Sequence, residues 1–409
     1  MSMNDLLTAK QQEVLHAYLH EDFKTMILTG AVRSGKTFID NLLFLYELKR
    51  VKRQAELKGE KHPLYILAGA SSGSIKDNII VSIGNDFGID MNPDKHNHYH
   101  LFGVDIKPVY TKSIGGLAGA RGFNAYGAYI NESSLAHPMV FSEILSRCSE
   151  PGSHVIADTN PDVPTHWLKT DYIDNKNPKN KTLVFTFTMD DNTFLAPDYV
   201  EQKKAQTPTG MFYDREILGL WVSGDGLVYR DFDKQRMVIP KAKLPHIVKY
   251  YCGVDWGFDH KGVITVWGDD AKGNVYMIEE HTSQFKYISY WVGVAKKIQE
   301  KYGKGITFWV DSARPDNYSE FLRAGINARN ADKARMAGVE RVAEYMKQGK
   351  FFAVKEGMDQ FLNEVYQYVW DENTGEPKKE HDDVMDSMRY AIFNEHKDNQ
   401  TQFLSSKYF

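Results

Sequence analysis

The sequence predicts an α/β protein of two or three domains, with a parallel sheet in its first half and an antiparallel meander followed by helices in its second. A chain of 409 residues has room for that number of domains of ordinary size. In the first half, short β-rich runs alternate with helical stretches, which is the pattern of a parallel sheet. In the second half, three β-rich runs follow one another in quick succession, which indicates a meander.

The first half contains five predicted strands and three predicted helices. The strands cover residues 25–30, 63–69, 125–131, 153–160 and 181–188. A helix over 38–59 separates the first two strands, and two short polar helices are predicted within 196–222. We expect this last segment to form a small helical subdomain at the end of the first domain.

The second half opens with predicted strands over residues 248–257, 262–268 and 274–281. A further strand is predicted over 305–312, and the predicted helices cover 286–302, 316–324, 331–348, 356–370 and 382–396. Between the two halves, residues 223–248 are rich in glycine, proline and charge, which is typical of a domain boundary. The predicted division is therefore a domain over 1–222, a linker over 223–248 and a domain over 249–409.

Composition excludes several classes of protein. The hydrophobic share of 42% and the charged share of 25% are those of a soluble globular chain, and no apolar run is long enough to span a membrane. The N-terminus lacks the basic start and apolar stretch of a secretory signal. Cys148 and Cys252 are too far apart for a paired cysteine motif, which fits a reducing cytoplasm. The net charge of −4 gives no sign of nucleic-acid binding, so any such contact needs a local basic patch.

Residues 30–37 read GAVRSGKT, which matches the phosphate-binding pattern G-x-x-x-x-G-K-[ST] in full. The run follows a predicted strand and opens a predicted helix, as the pattern requires. Lys36 would then reach the β- and γ-phosphates of a nucleotide, and Thr37 would bind Mg²⁺. The residues expected to contact the nucleotide are Gly30, Ser34, Gly35, Lys36 and Thr37. A glycine-rich turn with a solvated lysine is the alternative.

The strand over 125–131 ends in Asn131 and Glu132, and both are candidate ATPase residues. Glu132 is the natural general base for the attacking water. Asn131 stands where a P-loop ATPase usually carries a metal-side aspartate; its amide can orient a water on Mg²⁺ but lacks the charge. A common strand-ending turn is the alternative for this pair.

Polar residues near two further strands are weaker candidates. Thr159 and Asn160 end the strand over 153–160, where small polar groups can sense a γ-phosphate. Gln11 precedes the first strand and can read an adenine edge through two hydrogen bonds, although a solvated helix position is as plausible. Arg33, inside the loop, and Arg121 are candidate arginine fingers; surface ion pairing is their alternative.

Carboxylates are scattered through the second half in a pattern that suggests a metal site. Asp255 lies inside an apolar strand, where a carboxylate is costly unless it is paired or bound to metal, and Asp311 ends a later strand. Asp386 lies three or four residues after Asp383 and Asp382, so these acids share one helical face. Together they could hold two divalent ions for phosphodiester cleavage. Helix capping by Asp382 and Asp383, and a turn at Asp311, are the alternatives.

The stretch 321–350 is the best candidate for a patch that contacts a phosphate backbone. It carries seven basic residues against three acidic ones. A solvated helix face is an equally good interpretation. The basic residues are Arg323, Arg329, Lys333, Arg335, Arg341, Lys347 and Lys350.

The order of these motifs resembles the large terminase subunit of tailed bacteriophages, most closely its branch in Gram-positive phages and prophages. The resemblance is carried by GAVRSGKT, INE, DTNP, FYDREILGLWVSGDGLVY, GVDWG, WVDSA and HDDVMDSMRYA, which span nearly the whole chain. It implies an additive-strand, RecA-like P-loop ATPase domain followed by an RNase H-like nuclease domain. In this family the ATPase drives double-stranded DNA into a preformed capsid, and the nuclease cuts concatemeric DNA.

The resemblance also implies roles for individual residues. Gln11 would read adenine, Lys36 and Thr37 would bind ATP with its Mg²⁺, and Glu132 would be the catalytic glutamate. Thr159 and Asn160 would couple hydrolysis to movement. The nuclease triad, binding two Mg²⁺ or Mn²⁺, would be Asp255, Asp311 and Asp386, with Asp383 as a further ligand or helper.

The resemblance implies partners and a location as well. Family members work as rings, commonly of five, on the portal protein of the procapsid, and a small terminase subunit selects the DNA. The expected location is the cytoplasm of the bacterial host, outside the mature virion. Two alternatives remain open from the sequence: a DNA helicase or repair translocase with an accessory or inactive nuclease-like domain, and a scaffold that keeps the folds without the chemistry.

Overall fold

The structure, a computed structural model, describes residues 6–397 and divides into two compact units. The first unit ends at Lys204 and also includes Tyr213–Val222. The second unit comprises Ala205–Phe212 and the chain from Ser223 onward. Each unit contains one seven-stranded sheet. Within the described residues, no helix is both long and apolar enough to cross a membrane.

The strands are numbered in chain order. Those of the first unit are β1 Thr25–Gly30, β2 Leu64–Gly69, β3 Tyr99–Leu101, β4 Val104–Tyr110, β5 Gly127–Ile130, β6 His154–Thr159 and β7 Thr182–Phe187. Those of the second unit are β8 Val238–Ile239, β9 Ile247–Asp255, β10 Gly262–Asp270, β11 Val275–Ser283, β12 Thr307–Val310, β13 Ala328–Asn330 and β14 Phe351–Val354.

The α-helices are numbered in the same way. The first eight are α1 Ala9–His20, α2 Lys36–Lys58, α3 Ser72–Ile75, α4 Ser82–Phe87, α5 Gly116–Ala120, α6 Pro138–Arg147, α7 Pro197–Gln206 and α8 Met211–Glu216. The remaining six are α9 Lys234–Met237, α10 Ile288–Tyr302, α11 Pro315–Arg323, α12 Arg335–Lys347, α13 Asp359–Glu364 and α14 Asp383–Glu395.

The first sheet has the strand order β3-β4-β2-β5-β6-β1-β7, and its strands are parallel except for β3. Strand β1 lies between β6 and β7, and β5 lies on the other side of β6. The carboxyl ends of β1, β5 and β6 are therefore neighbours at one edge of the sheet. The loop over 30–37 and the polar residues after β5 and β6 all meet there.

Apolar residues on β1 alternate between two hydrophobic clusters, one for each face of the first sheet. Met26 and Leu28 join the cluster that contains α1 and α2, whereas Ile27 joins the cluster that contains α6. All six residues of β1 are buried. This continuous burial is what a central parallel strand covered by helices on both faces requires.

Strand β4 was not predicted from the sequence because it contains Pro108. A proline cannot donate to a strand ladder, so it usually argues against a strand in the middle of a sheet. Strand β3 pairs only with Val104–Ile106 of β4. Pro108 thus lies in the part of β4 that has a neighbour, β2, on one side only, where the missing N–H is tolerated.

A buried network of ion pairs and hydrogen bonds joins α2 to the amino end of β6, at the opposite end of the strands from the loop over 30–37. Glu47 on α2 is completely buried and receives hydrogen bonds from Tyr18 Oη (2.7 Å) and from Arg50 Nε and Nη2 (2.8 and 2.6 Å). His154 Nδ1 lies 3.0 Å from the same carboxylate. Burial alone would raise the pKa of Glu47, but the bonds to His154 and Arg50 lower it to about 2.

Glu47→Gln is expected to destabilise the first unit by about 3–5 kcal/mol, because it leaves Arg50 as a largely buried charge without its partner.

The same network makes the stability of the first unit depend on pH. The pKa of Glu47 is lower in the folded chain than in the unfolded one, so its contribution is complete above pH 4.5 and is lost as pH falls toward 2. At 1.36 kcal/mol per pKa unit, this contribution is about 3 kcal/mol. Urea denaturation between pH 3 and pH 7 measures both effects.

The matched control is Glu56→Gln on the same helix. Glu56 is exposed and lies 3.5 Å from Lys52, so its loss should change the free energy of unfolding by less than about 0.5 kcal/mol. Equal losses in the two variants would contradict the role given to the buried network.

The second sheet has the strand order β13-β12-β9-β10-β11-β14-β8. Strands β9, β10 and β11 form the predicted antiparallel meander. Strand β12 pairs in parallel with β9, and β14 pairs in parallel with β11. Helix α14 crosses this meander at Gly253. A side chain on Gly253 would place its Cβ 1.9 Å from the Ser387 carbonyl oxygen, so a glycine is needed for the helix to approach β9. Ser387 Oγ also donates to the Gly253 carbonyl (2.9 Å).

Three features of the second half differ from the sequence prediction. The short strands β13 and β14 were not predicted. The helix predicted over 356–370 is limited to α13, because Val369 and Trp370 form isolated β-bridges with Leu227 and Pro377. The segment predicted as a linker, 223–248, carries α9 and β8, and β8 pairs with β14 as the last strand of the second sheet.

Candidate functional site

The loop over 30–37 borders a cavity of about 560 Å³ at the carboxyl edge of the first sheet. Two glycines give the loop its shape. A Cβ on Gly30 would lie 2.0 Å from the Phe187 carbonyl oxygen, and Gly35 has a φ of 90°, in the left-handed region. Ser34 Oγ donates to the Ala31 carbonyl (2.7 Å) and closes the turn. The predicted Thr37 lines the same cavity.

Lys36 is buried and lies over the centre of the loop. Its ammonium donates to the carbonyl oxygens of Gly30 (2.9 Å) and Ala31 (2.6 Å), to Ser34 Oγ (3.3 Å) and to Asn160 Oδ1 (3.2 Å). Burial lowers the pKa of Lys36 to about 8, against the opposing charges of two neighbouring carboxylates. A phosphate group at this position would favour the charged form of the lysine.

Two acids near Lys36, Asp40 and Asp158, were not predicted from the sequence. Asp40 follows Lys36 by one turn of α2, and neither of its carboxylate oxygens has a hydrogen-bond partner within the described part of the chain. Burial, with the charge of Asp158, raises the pKa of Asp40 well above its usual range. The neutral form that this favours is the cheaper form to bury.

Asp158 connects the polar residues that follow β5. Asn131 Nδ2 donates to both of its oxygens (3.0 and 2.9 Å), the Glu132 backbone N–H donates to one of them (2.6 Å), and Tyr129 Oη donates to the other (3.0 Å). The sequence did contain a signal for Asp158, because it is an acid inside an apolar strand, as Asp255 is. Burial and the Asp158 charge raise the pKa of Glu132, which is half-buried beside the cavity.

The other predicted residues of this site occupy different positions around it. Thr159 Oγ1 accepts from the Ser134 backbone N–H (3.1 Å), which links β6 to the turn after Glu132. Gln11 is buried, with Oε1 accepting from the Thr8 N–H (2.9 Å) and Nε2 donating to the Gly35 carbonyl (2.9 Å). Arg33 is exposed, with its guanidinium 5.9 Å from the Tyr199 ring.

Arg121, the second candidate arginine finger, pairs with Glu143 at 3.8 Å. This is the surface ion pair that the sequence left open as the alternative role. Arg33, in contrast, lines the cavity of the loop.

The second unit contains a cavity of about 530 Å³ lined by acidic residues. Asp255 at the end of β9 and Asp311 after β12 come from adjacent parallel strands, and Asp382, Asp383 and Asp386 come from the start of α14. The structure thus brings together all the acids that the sequence predicted. Burial, and then the charges of the other four acids, raise the pKa of Asp255 well above its usual range. An all-carboxylate oxygen set of this kind suits Mg²⁺ or Mn²⁺.

Four cationic or ionisable side chains face these acids, and none of them was predicted as a member of the site. Lys333 Nζ lies 2.6 Å from Asp311, Arg389 Nη2 lies 3.0 Å from Asp386, Arg335 Nη2 lies 3.7 Å from Asp382, and His260 Nδ1 lies 3.0 Å from Asp383. One ligand atom each from Asp255, His260 and Asp383 lies within 4.8 Å of the others, so these three residues can share a metal ion.

The predicted basic patch over 321–350 does not form one free surface. Lys333 and Arg335 face the acidic cavity, while Arg323, Arg341 and Lys347 form ion pairs with Glu320, Glu344 and Asp231. Arg329 lies over the Trp309 ring at 5.8 Å. Most of this charge is therefore paired within the unit, and of these basic residues only Lys333 and Arg335 line the acidic cavity.

Family comparisons match both halves of the chain. Residues 27–236 match the model of the terminase large subunit, T4likevirus-type, N-terminal, and residues 252–395 match the model of the terminase RNase H-like domain. A comparison with curated proteins finds no match.

Solved structures give the same fold. The large terminase of a thermophilic bacteriophage is 24% identical, with a TM-score of 0.79 over 95% of this chain and 98% of that one. Its complex with ADP has a TM-score of 0.77 at 23% identity, covering 95% and 99% of the two chains. Its complex with ATP-γ-S has a TM-score of 0.75 at 23% identity, covering 95% and 98%.

These matches confirm the predicted fold class, a P-loop ATPase domain followed by an RNase H-like mixed α/β domain. They also decide against the helicase or repair-translocase alternative, because both halves of the chain match models of the large terminase subunit. The chain belongs to the family of phage large terminase subunits, the ATPases and endonucleases of viral DNA packaging.

Proposed function

We propose that the first unit hydrolyses ATP at the loop over 30–37 to move double-stranded DNA, and that the second unit cuts concatemeric DNA at the acidic cavity. The observation that supports this division is that each unit has its own polar cavity at the edge of its own sheet. The ATPase function is assigned to the unit that ends at Lys204 and includes Tyr213–Val222, and the nuclease function to the unit that includes the chain from Ser223 onward.

At the ATPase site, Lys36 binds the β- and γ-phosphates, and the loop amides from Gly30 to Gly35 cradle them. Thr37 would hold Mg²⁺, and Asn131 could orient a water bound to it; the ion would supply positive charge to the phosphates. Glu132 orients the attacking water and accepts its proton; its raised pKa makes it a stronger base. Arg33 stabilises the transition-state charge from its exposed position on the loop.

Three residues are proposed to connect this site to the rest of the motor. Thr159 and Asn160 sense the γ-phosphate, and Asn160 does so through its hydrogen bond from Lys36. When the γ-phosphate leaves, the change in these contacts is transmitted to β6. Gln11 is proposed to read adenine. That contact requires the exchange of one of its present hydrogen bonds, to Thr8 or to Gly35.

At the nuclease site, Asp255, Asp311 and Asp386 are proposed to hold two Mg²⁺ or Mn²⁺ ions, with Asp383 as a further ligand. Two such ions activate a water and stabilise the leaving oxygen of a phosphodiester. Lys333, whose ammonium lies 2.6 Å from Asp311, is proposed to pair with the DNA phosphate.

The proposed partners are double-stranded DNA, the small terminase subunit and the portal protein of the procapsid. During packaging the chain is proposed to act as a homo-oligomeric ring of five copies. The proposed location is the cytoplasm of the bacterial host, outside the mature virion. These proposals rest on membership of the large terminase family.

DNA protection by procapsids tests the motor function. With procapsids and small subunit of the phage that encodes the chain, ATP should make linear DNA resistant to added nuclease. Asp255→Asn should package preformed linear DNA at the wild-type rate, because only the cutting site is changed. ATP hydrolysis without any protected DNA would contradict the packaging function and favour a translocase of another kind.

A further inference from the structure

Asn131 is uncharged at a position where a P-loop ATPase usually has a negatively charged aspartate. In P-loop NTPases, Mg²⁺ is held by the loop hydroxyl and by an aspartate at the end of a neighbouring strand. Thr37 can serve as that hydroxyl, but the strand that leads to Glu132 ends in Asn131. An amide oxygen can accept from a metal-bound water but carries no net charge.

A carboxylate lies on the adjacent strand at the same level. In the parallel ladder of β5 and β6, Ile130 is the partner of Ala157, so Asn131 and Asp158 follow side by side. Asn131 donates to both oxygens of Asp158 at 3.0 and 2.9 Å. Its own oxygen accepts from Asn78 Nδ2 at 3.0 Å, and this bond fixes which way the amide faces. Asp158 lines the loop cavity together with Thr37.

Asp158 also holds the backbone of the catalytic glutamate. Glu132 has a φ of 52°, in the left-handed region, which is strained for a residue with a side chain. Its backbone N–H donates to Asp158 at 2.6 Å, one of the short bonds of the site. The carboxylate therefore stabilises the turn that directs Glu132 toward the cavity.

Asp158 is buried, but its hydrogen bonds from the Glu132 backbone, Asn131 and Tyr129 favour its charged form. The residue is 3% exposed, and burial raises its pKa, whereas an asparagine would fill the same volume without a charge. The opposite charge of Lys36 is close enough to act on it. Asp158 thus supplies a carboxylate, and Asn131 an amide, at the ends of two adjacent strands.

We propose that Asp158 is a positioning residue that supplies, from β6, the negative charge that position 131 lacks, and that fixes Glu132 for attack. This inference rests on the proposed ATPase function of the loop. It predicts that the site needs one carboxylate and one amide at positions 131 and 158, and that either order supports Mg²⁺-dependent function.

The test compares Asp158→Asn with the exchange variant Asn131→Asp/Asp158→Asn in the full-length chain. Asp158→Asn places two amides face to face and removes the charge, so ATP turnover should fall at least a hundredfold. The exchange variant restores both the charge and a donor–acceptor pair, so it should regain at least tenfold over Asp158→Asn. Asp174→Asn, which removes an exposed carboxylate of the same unit, is the control and should match the wild type.

A second readout separates the proposed role from a merely structural one. Binding of a fluorescent ATP analogue is measured by titration with Mg²⁺ and with EDTA. Asp158→Asn should bind the analogue in EDTA within threefold of the wild type but lose the gain in affinity that Mg²⁺ gives. The exchange variant should recover that gain. If Asp158→Asn does not fold, the exchange variant alone decides the matter, since its strand ends are again complementary.

Two outcomes would overturn the inference. One is turnover in Asp158→Asn within threefold of the wild type. The other is a folded exchange variant with no recovery in turnover or in Mg²⁺-dependent binding. Failure of the proposed function looks different, since the wild type itself would then hydrolyse no ATP. Mg²⁺-dependent binding of the analogue would still test Asp158 in that case.

Discussion

Lys36→Ala is expected to reduce ATP turnover by at least about a hundredfold, because it removes the ammonium that the loop holds over the phosphate position. The four acceptors around Lys36 show how closely the loop is built around this group. The affinity for a fluorescent ATP analogue should fall as well, since phosphate binding loses its main charge. Steady-state phosphate release and analogue titration measure the two effects.

Lys52→Ala is the matched control for this prediction. Lys52 lies on the same helix, α2, and its ammonium is 3.5 Å from Glu56 at the surface. Its loss should leave ATP turnover within twofold of the wild type. Similar turnover in the two variants, or loss of DNA cleavage in Lys36→Ala, would contradict the assignment of ATP hydrolysis to this loop.

Asp255→Asn is expected to reduce metal-dependent DNA cleavage by at least about a hundredfold. Asp255 lies at the end of β9 and faces four other acids, which follow β12 or begin α14. Burial and the charges of those acids raise the pKa of Asp255 well above its usual range. A divalent ion relieves this repulsion, so loss of the carboxylate should weaken metal binding as well as cleavage. Isothermal titration with Mn²⁺ should give two ions per wild-type chain and weaker or fewer ions in the variant.

Asp316→Asn provides the control for the nuclease site. Asp316 is an exposed acid of the same unit and pairs with Arg314 at 3.0 Å, outside the acidic cavity. Its substitution should leave both Mn²⁺ binding and cleavage unchanged. Mn²⁺ binding by Asp255→Asn with wild-type stoichiometry and affinity would contradict the metal site proposed here.

The parts of both sites that depend on local sequence could be predicted. The loop over 30–37 has a contiguous pattern that follows a predicted strand and opens a predicted helix, which is the context that the pattern requires. Glu132 could be placed because it ends an apolar strand after the loop, and Asp255 because a carboxylate inside an apolar strand is costly unless it is paired or bound to metal. Asp311 could be placed because it ends a later strand. The start of α14 could be placed from the helical spacing of its acids.

The parts that depend on contacts between distant segments could not be predicted. The sequence contains Asp40 one helical turn after Lys36 and Asp158 inside a buried strand, but only the packing of α2 and β6 shows that both acids act on Lys36. Lys333 appeared in the sequence as one basic residue among seven, and only the fold places it 2.6 Å from Asp311. His260 reaches Asp383 across 123 positions of sequence.

Two independent catalytic sites are proposed to occupy the two units of this chain. The most direct test measures ATP turnover and Mn²⁺-dependent nicking of supercoiled plasmid on the same preparations of wild type, Lys36→Ala and Asp255→Asn, with an EDTA control. The predicted result is a double dissociation, in which each variant loses one activity and keeps the other. Loss of both activities in either folded variant, or ATP hydrolysis by a wild type that cuts no DNA with any divalent metal, would contradict the claim.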